Sequence, residues 1–334
     1  MLNPKIKLAK NLFEKHKIEM IPIRDGYGQG LILAGKENKD VVVLCADLTD
    51  STRSIVFQKE FPERFIEVGI AEQNMAGIAA GLAVSGKIPF ISTYAVFCPG
   101  RNWDQIRVNV CYNNANVKLT GAHSGVSVGP DGATHQALED IAITRCLPNM
   151  VVLAPCDAIE TLKATLAASK IQGPVYLRFA REKTPVFTTE ETPFEIGKAV
   201  PFFEPKNKDK VDVVIIACGP LVYNSLLSAK ELEGEGLSIA VLNNHTIKPI
   251  DEEHIIKAAK KAGAVVTVED HQIMGGMGSA VAEVLAKNCP TPQEFIGMPN
   301  SFGESGQPEE LLEKYGMGVK DIKEAVRRAL KRKS

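Results

Sequence analysis

Phe65-Ile66-Glu67-Val68-Gly69-Ile70-Ala71-Glu72-Gln73-Asn74-Met75-Ala76-Gly77 is the stretch around which the chain is organised. A short apolar run leads to Gly69. From about Ala71 the sequence reads as a helix, rich in Ala and Gly through Gly86, whose small residues permit close approach of another backbone. Glu72 therefore stands at the end of a strand and the start of a helix. A carboxylate there complements the helix dipole and ordinarily faces water. A buried carboxylate at such a place is rare unless it is paired or functional. The rest of the chain has to decide between the two.

Working outward, Val41-Val42-Val43-Leu44-Cys45 is a continuous apolar run ending in Ala46-Asp47. Such runs suit parallel strands covered on both faces. Similar strands are predicted at Phe65–Val68, Pro89–Tyr94, Val117–Thr120, Val151–Ala154 and Val175–Phe179. Helices are predicted at Gly26–Asn38, Glu72–Ser85, Trp103–Tyr112, Ala137–Cys146 and Ala158–Ser169. Residues 1–25 read as a lead-in helix and a loop. The alternation argues for an α/β domain with a mostly parallel sheet. Proline-rich sequence from Thr184, closed by Lys206-Asn207-Lys208-Asp209-Lys210, reads as a linker with a short β element around Phe194–Val200. A second, smaller α/β pattern follows, with strands at Val211–Ala217, Ser238–Leu242 and Ala264–Glu269. The division is thus residues 1–190, a linker 191–210, and residues 211–334.

A length of 334 residues fits two domains, and 45% hydrophobic with 24% charged residues fits an ordinary globular protein. The net charge of −1 gives no general attraction to nucleic acid or anionic membrane, so any phosphate recognition must be local. No apolar run reaches spanning length, and the lysine-rich N-terminus lacks the apolar core of a secretory signal. Seven scattered cysteines, with no C-x-x-C pair, fit reduced core thiols in a cytoplasm.

Ligands of open parallel sheets bind at the carboxyl ends of the strands. Those ends collect polar residues here: Asp47-Leu48-Thr49-Asp50-Ser51, Glu72, Tyr94 to Phe97, a long Gly-rich loop from His123 through Asp131 to His135, and Arg178 with Arg181. Together they favour one site on one edge. His123 and His135 suit loop anchoring, donation to phosphate or hydroxyl oxygens, or proton transfer. Asp131 suits a turn cap or a hydroxyl acceptor. Arg24 and Arg181 suit bidentate phosphate binding or surface ion pairs.

Gly69-Ile70-Ala71-Glu72-Gln73-Asn74, Ser92-Thr93-Tyr94 to Phe97, and Gly129-Pro130-Asp131-Gly132-Ala133-Thr134-His135-Gln136 together resemble transketolase, and nearly the whole chain resembles the C-terminal subunit of split transketolases. Asn244-His245-Thr246-Ile247-Lys248-Pro249-Ile250-Asp251, Glu269-Asp270-His271 and Gly275-Gly276-Met277-Gly278 fit the second domain of that family. The resemblance implies a thiamine-diphosphate-binding fold: a pyrimidine-binding domain followed by a transketolase C-terminal domain. It implies ketol transfer between sugar phosphates in the pentose phosphate pathway. Glu72 matches the glutamate that hydrogen-bonds the aminopyrimidine ring, a task suited to a desolvated carboxyl of raised pKa. Tyr94 and Phe97 match rings that pack on the pyrimidine, and Asp47 and Leu48 match a turn that contacts the cofactor. His123, Asp131 and His135 match residues around the donor sugar; Arg24, Ser51 and Arg181 match positions that bind its phosphate. Single-chain members carry a third aromatic near Phe97, where this sequence offers Trp103.

The family's Gly-Asp-Gly metal motif is absent, and so is a P-loop. No metal ligand is therefore assigned to this chain. The diphosphate and its magnesium or similar divalent ion are expected on a separate N-terminal subunit, in an α2β2 assembly with this chain also pairing with its own copy. The Gly275–Gly278 loop resembles a phosphate turn but reads as a packing turn. Alternative readings are a 1-deoxyxylulose-5-phosphate synthase relative, a 2-oxo acid dehydrogenase beta-type subunit, or a non-catalytic assembly subunit. His123 and His135 around Asp131 favour a polyhydroxylated donor over pyruvate.

Overall fold

The computed structural model describes all residues except Lys15, Lys208, Asp209 and Ser334. Fourteen strands lie along the described residues: β1 (Met20–Pro22), β2 (Val41–Cys45), β3 (Phe65–Glu67), β4 (Ile88–Tyr94), β5 (Lys118–Ala122), β6 (Val151–Leu153), β7 (Val175–Phe179), β8 (Lys183–Pro185), β9 (Val200–Phe203), β10 (Val213–Ala217), β11 (Ile239–Asn243), β12 (Thr246–Lys248), β13 (Val265–Gln272) and β14 (Gln293–Met298). They form a seven-stranded sheet in the order β12-β6-β7-β5-β4-β2-β3, a five-stranded sheet β14-β13-β10-β11-β9, and the ribbon β1-β8. Within the large sheet the strands are parallel except β12, and within the small one except β9. β2, β5 and β7 are buried along their whole length; β2 is an unbroken apolar run, whereas β5 and β7 also bury Lys118, Thr120 and Arg178.

Helices cover both faces of the large sheet. On one face, Ile23–Glu37 packs on Ala158–Lys170, and this contact needs glycine: a Cβ on Gly26 would overlap the Ala158 carbonyl, and one on Gly30 would overlap Thr165. The close approach expected at the Glu72–Val84 helix does not occur within the chain, because Gly77 and Gly81 have nothing beside them. The predicted helix Trp103–Tyr112 is one α turn, Trp103–Gln105, continued as a π-helix over Ile106–Tyr112.

Residues 1–19 depart from expectation. No lead-in helix forms among the described residues there. The segment carries Pro4 and no apolar stripe of helical period, and instead lies against the small sheet. Asn3 donates to the Phe202 carbonyl at 3.0 Å, Tyr223 donates to the Leu12 carbonyl at 3.0 Å, and Leu12 and Ile18 belong to the second domain's core. The β element expected around Phe194–Val200 lies a few residues later, as β9. Lys208 and Asp209 of the expected linker lie outside the described residues. The domains are further tied by β12, which comes from the second half of the chain and closes the edge of the first sheet.

All seven cysteines are free, and five are buried. No helix among the described residues is long and apolar enough to cross a membrane.

Candidate active site

The carboxyl ends of β2, β4, β5 and β7 converge on one ledge. Glu72 is the first residue of its helix and is 2% exposed. It is buried and paired at once: Arg101 Nη1 donates to both carboxylate oxygens, at 3.0 and 2.9 Å. The guanidinium also lies over the Phe97 ring, 4.2 Å from its centroid. Arg101 is 45% exposed, so it forms the lid between Glu72 and solvent. Sequence reading missed Arg101, which lies between Phe97 and Trp103 in a stretch read only for its aromatics.

Tyr94, at the end of β4, and Phe97 stack at 5.9 Å with their planes 14° apart. His123 lies 4.0 Å from the Tyr94 ring, and His135 meets the Phe97 ring edge-on at 5.6 Å. These four rings, drawn from two strand ends and the Gly-rich loop, make one wall. Trp103 takes no part in it; its indole N–H donates to the Ile143 carbonyl at 2.8 Å.

The polar groups cluster beside that wall. Arg24 Nη1 donates to the Ser51 carbonyl at 2.8 Å and lies 3.3 Å from His123 Nε2. Ser51 thus contributes its backbone oxygen here. Arg181 donates to Asp131 at 3.1 Å, and each is 29% exposed. His123 is fully buried, and its Nδ1 has no hydrogen-bond partner. Burial, followed by Arg24 and Arg181, pushes its pKa down to about 3. It is therefore a neutral imidazole at ordinary pH, able to donate one hydrogen bond and accept one. The Arg24 pKa is lowered by burial first and by Arg53 and Arg181 next.

The Asp47–Leu48 turn is shaped by Glu67, another residue the sequence reading passed over. Glu67 accepts from the Asp47 N–H at 2.8 Å, from Thr49 Oγ1 at 2.9 Å and from the Gly69 N–H at 2.9 Å. It holds Asp47 at a positive φ of 59° and binds the two strand ends together.

In the second domain, the Gly275–Gly278 loop is not an anion site. Glu269 already fills it, accepting from the Met277 N–H at 2.7 Å and the Gly278 N–H at 2.8 Å. The packing-turn reading holds.

Among the described residues no group of three or more His, Cys, Asp or Glu side chains is arranged to hold a metal ion. A cavity of about 790 Å³ lies beyond the Gly-rich loop, lined by Tyr223, Leu227 and Pro308 among others. No residue assigned to the candidate site lines it. The stacked Tyr94 and Phe97 rings and a buried carboxylate suit a planar, nitrogen-bearing ring. The aminopyrimidine of thiamine diphosphate is such a group, so the residues present fit it.

Residues 19–186 match the family described as transketolase, pyrimidine binding domain, and residues 205–322 match transketolase, C-terminal domain. The chain is 46% identical, over 93% of its length and 96% of the other, to a putative transketolase C-terminal section of Methanocaldococcus jannaschii. It is 39% identical, over 95% and 97%, to a 6-deoxy-6-sulfo-D-fructose transketolase subunit of Clostridium sp.. A solved structure described as a split gene transketolase, an inactive beta4 tetramer, superposes with a TM-score of 0.87 at 46% identity, covering 94% of this chain and all of that one. The chain belongs to the transketolase family, as a member built, like its split-gene relatives, from the pyrimidine-binding and C-terminal domains.

Proposed function

We propose that this chain is the pyrimidine-side half of a thiamine-diphosphate-dependent transketolase, and that it works with a separate N-terminal subunit in an α2β2 assembly. The observation that carries the reading is the convergence of buried Glu72 with the stacked Tyr94–Phe97 pair and both histidines on one sheet edge. Relatives whose names specify sulfofructose or apulose phosphate support a sugar derivative as donor and leave its identity to experiment.

Glu72, Tyr94, Phe97 and the Asp47–Leu48 turn would hold the aminopyrimidine end of the cofactor. When bound, thiamine diphosphate supplies an electron sink that lets a carbon–carbon bond beside a carbonyl break and re-form. The remaining work falls to the chain. Glu72 holds or accepts a proton on the ring side of the wall. Arg101 covers its oxygens, so access to Glu72 requires the guanidinium to move aside. Neutral His123 donates to a sugar oxygen without adding charge, and His135 lines the same wall. Arg24 and Arg181 supply the positive charge that a sugar phosphate requires, with Asp131 holding Arg181 in place. We assign the divalent ion and the diphosphate contacts to the partner.

The test is a donor comparison on the reconstituted complex. With an aldose phosphate as acceptor, a ketose phosphate should yield an aldose phosphate two carbons shorter and the acceptor lengthened by two carbons, while pyruvate in place of the ketose phosphate should yield no product. Turnover of pyruvate alone would replace this reading with 2-oxo acid chemistry.

A further inference from the structure

The Gly-rich loop that carries Asp131 and His135 belongs to the first domain, but its anchor does not. Asp270 lies on β13 in the second domain and is 2% exposed. Its carboxylate takes three donors from the start of the loop: the Val126 N–H at 2.8 Å, the Ser127 N–H at 3.3 Å and Ser127 Oγ at 2.6 Å. The chain reaches it only because residue 125 is glycine at a φ of 86°; a Cβ there would overlap the Asp270 carboxylate. The same strand end is fastened on its other side. Arg178 donates to the Asp270 carbonyl at 3.0 Å, and the Gln272 N–H donates to the Leu138 carbonyl at 2.8 Å. Downstream, Gln136 donates to Val126 and Glu304 carbonyls at 3.1 and 3.0 Å, fixing the far end of the loop to the second domain as well.

We propose that Asp270 is a positioning residue for the donor sugar: the second domain sets the loop on which Asp131 and His135 meet the substrate. The proposal rests on the transketolase reading for what the loop binds, but the tether itself does not. Backbone N–H groups cannot rotate away, so only an acceptor with both oxygens free satisfies all three donors. Asp270→Asn turns one oxygen into an NH2 that faces a fixed N–H. Ser127→Ala removes one donor and leaves both backbone bonds.

The experiment compares wild type, Asp270→Asn and Ser127→Ala in the complex with the N-terminal subunit. Three quantities are read: the KM for ketose phosphate, the calorimetric Kd for thiamine diphosphate with magnesium, and amide hydrogen exchange over residues 125–136. Asp270→Asn should raise the donor KM about tenfold, as expected for losing a hydrogen bond to a buried charged group. Loop exchange should quicken in parallel, and the cofactor Kd should stay within about twofold of wild type. Ser127→Ala should fall between the two proteins. Faster loop exchange with an unchanged donor KM overturns the positioning role. So does a loss confined to the fraction of folded, cofactor-binding sites. If wild type transfers no two-carbon unit from any sugar phosphate, the functional reading fails, and unchanged exchange in Asp270→Asn then overturns the tether too.

Discussion

Glu72→Gln separates the two meanings of a buried carboxylate. The substitution keeps the shape and one acceptor oxygen and removes the charge. Arg101 Nη1 bridges both oxygens, at 3.0 and 2.9 Å, and keeps one partner after the change. Because Arg101 is 45% exposed, water replaces the lost bond on its side, even though Glu72 itself is 2% exposed. The cost to folding is therefore about 1 kcal/mol, not the roughly 3–5 kcal/mol of breaking a fully buried pair. For a domain of this size that lowers the melting midpoint by about 2–4 °C. A carboxyl positioned for proton transfer contributes about 10²–10⁴-fold to rate, so turnover should fall by that factor. Thermal denaturation of the variant and two-carbon transfer in the complex are measured on the same preparation. A turnover loss below about tenfold in a folded variant would refute the catalytic role. A collapse in melting temperature would instead make Glu72 an architectural residue.

Three further outcomes follow from the geometry. Arg181→Ala frees Asp131 from its ion pair and removes positive charge from the ledge, so the sugar-phosphate KM should rise while kcat holds; an unchanged KM would sink the phosphate assignment. Glu160 is buried and accepts from the Cys156 N–H at 2.7 Å and from Asn243 Nδ2 at 2.6 Å, across the two sheets. Burial first, and Asp157 second, raise its pKa from 4.5 to about 7. The folded state then binds more protons than the unfolded chain between those values. The stability is full below the unfolded pKa and is lost as pH rises through 7, by about 3 kcal/mol. Glu160→Gln, a neutral isostere, should flatten that slope in urea titrations at pH 5 and pH 8; parallel slopes in variant and wild type would contradict it. Arg178→Met leaves Asp140 buried without the cation 2.8 Å away, and should cost about 3–5 kcal/mol in unfolding free energy; a loss under about 1 kcal/mol would show that the pair is dispensable.

Much of this was legible in the sequence because parallel strands buried on both faces write themselves as unbroken apolar runs. β2 lies where such a run is, and β7 follows the same pattern except for Arg178, whose charge is paired with Asp140. The strand ends then bring Glu72, Tyr94, Phe97, His123 and His135 to one edge without further information. β12 was not legible, because Thr246-Ile247-Lys248 is too short to carry a period and is a strand only through pairing with β6. The N-terminal segment failed for a similar reason: its apolar residues answer to the second domain's core, far away in sequence. Arg101 escaped because its partner Glu72 lies 29 residues away, and the Asp270 motif was legible but not its tether to Val126, 144 residues away. No local pattern records such a contact.

The central claim is that this chain holds half of an active site. The most direct test fixes its concentration, supplies xylulose 5-phosphate, ribose 5-phosphate, thiamine diphosphate and magnesium, and titrates in the N-terminal subunit while two-carbon transfer is followed. The account predicts no turnover from this chain alone, and a rise that saturates at one partner chain per copy. Full turnover without the partner would contradict it, since the diphosphate and its metal would then have a site on these residues.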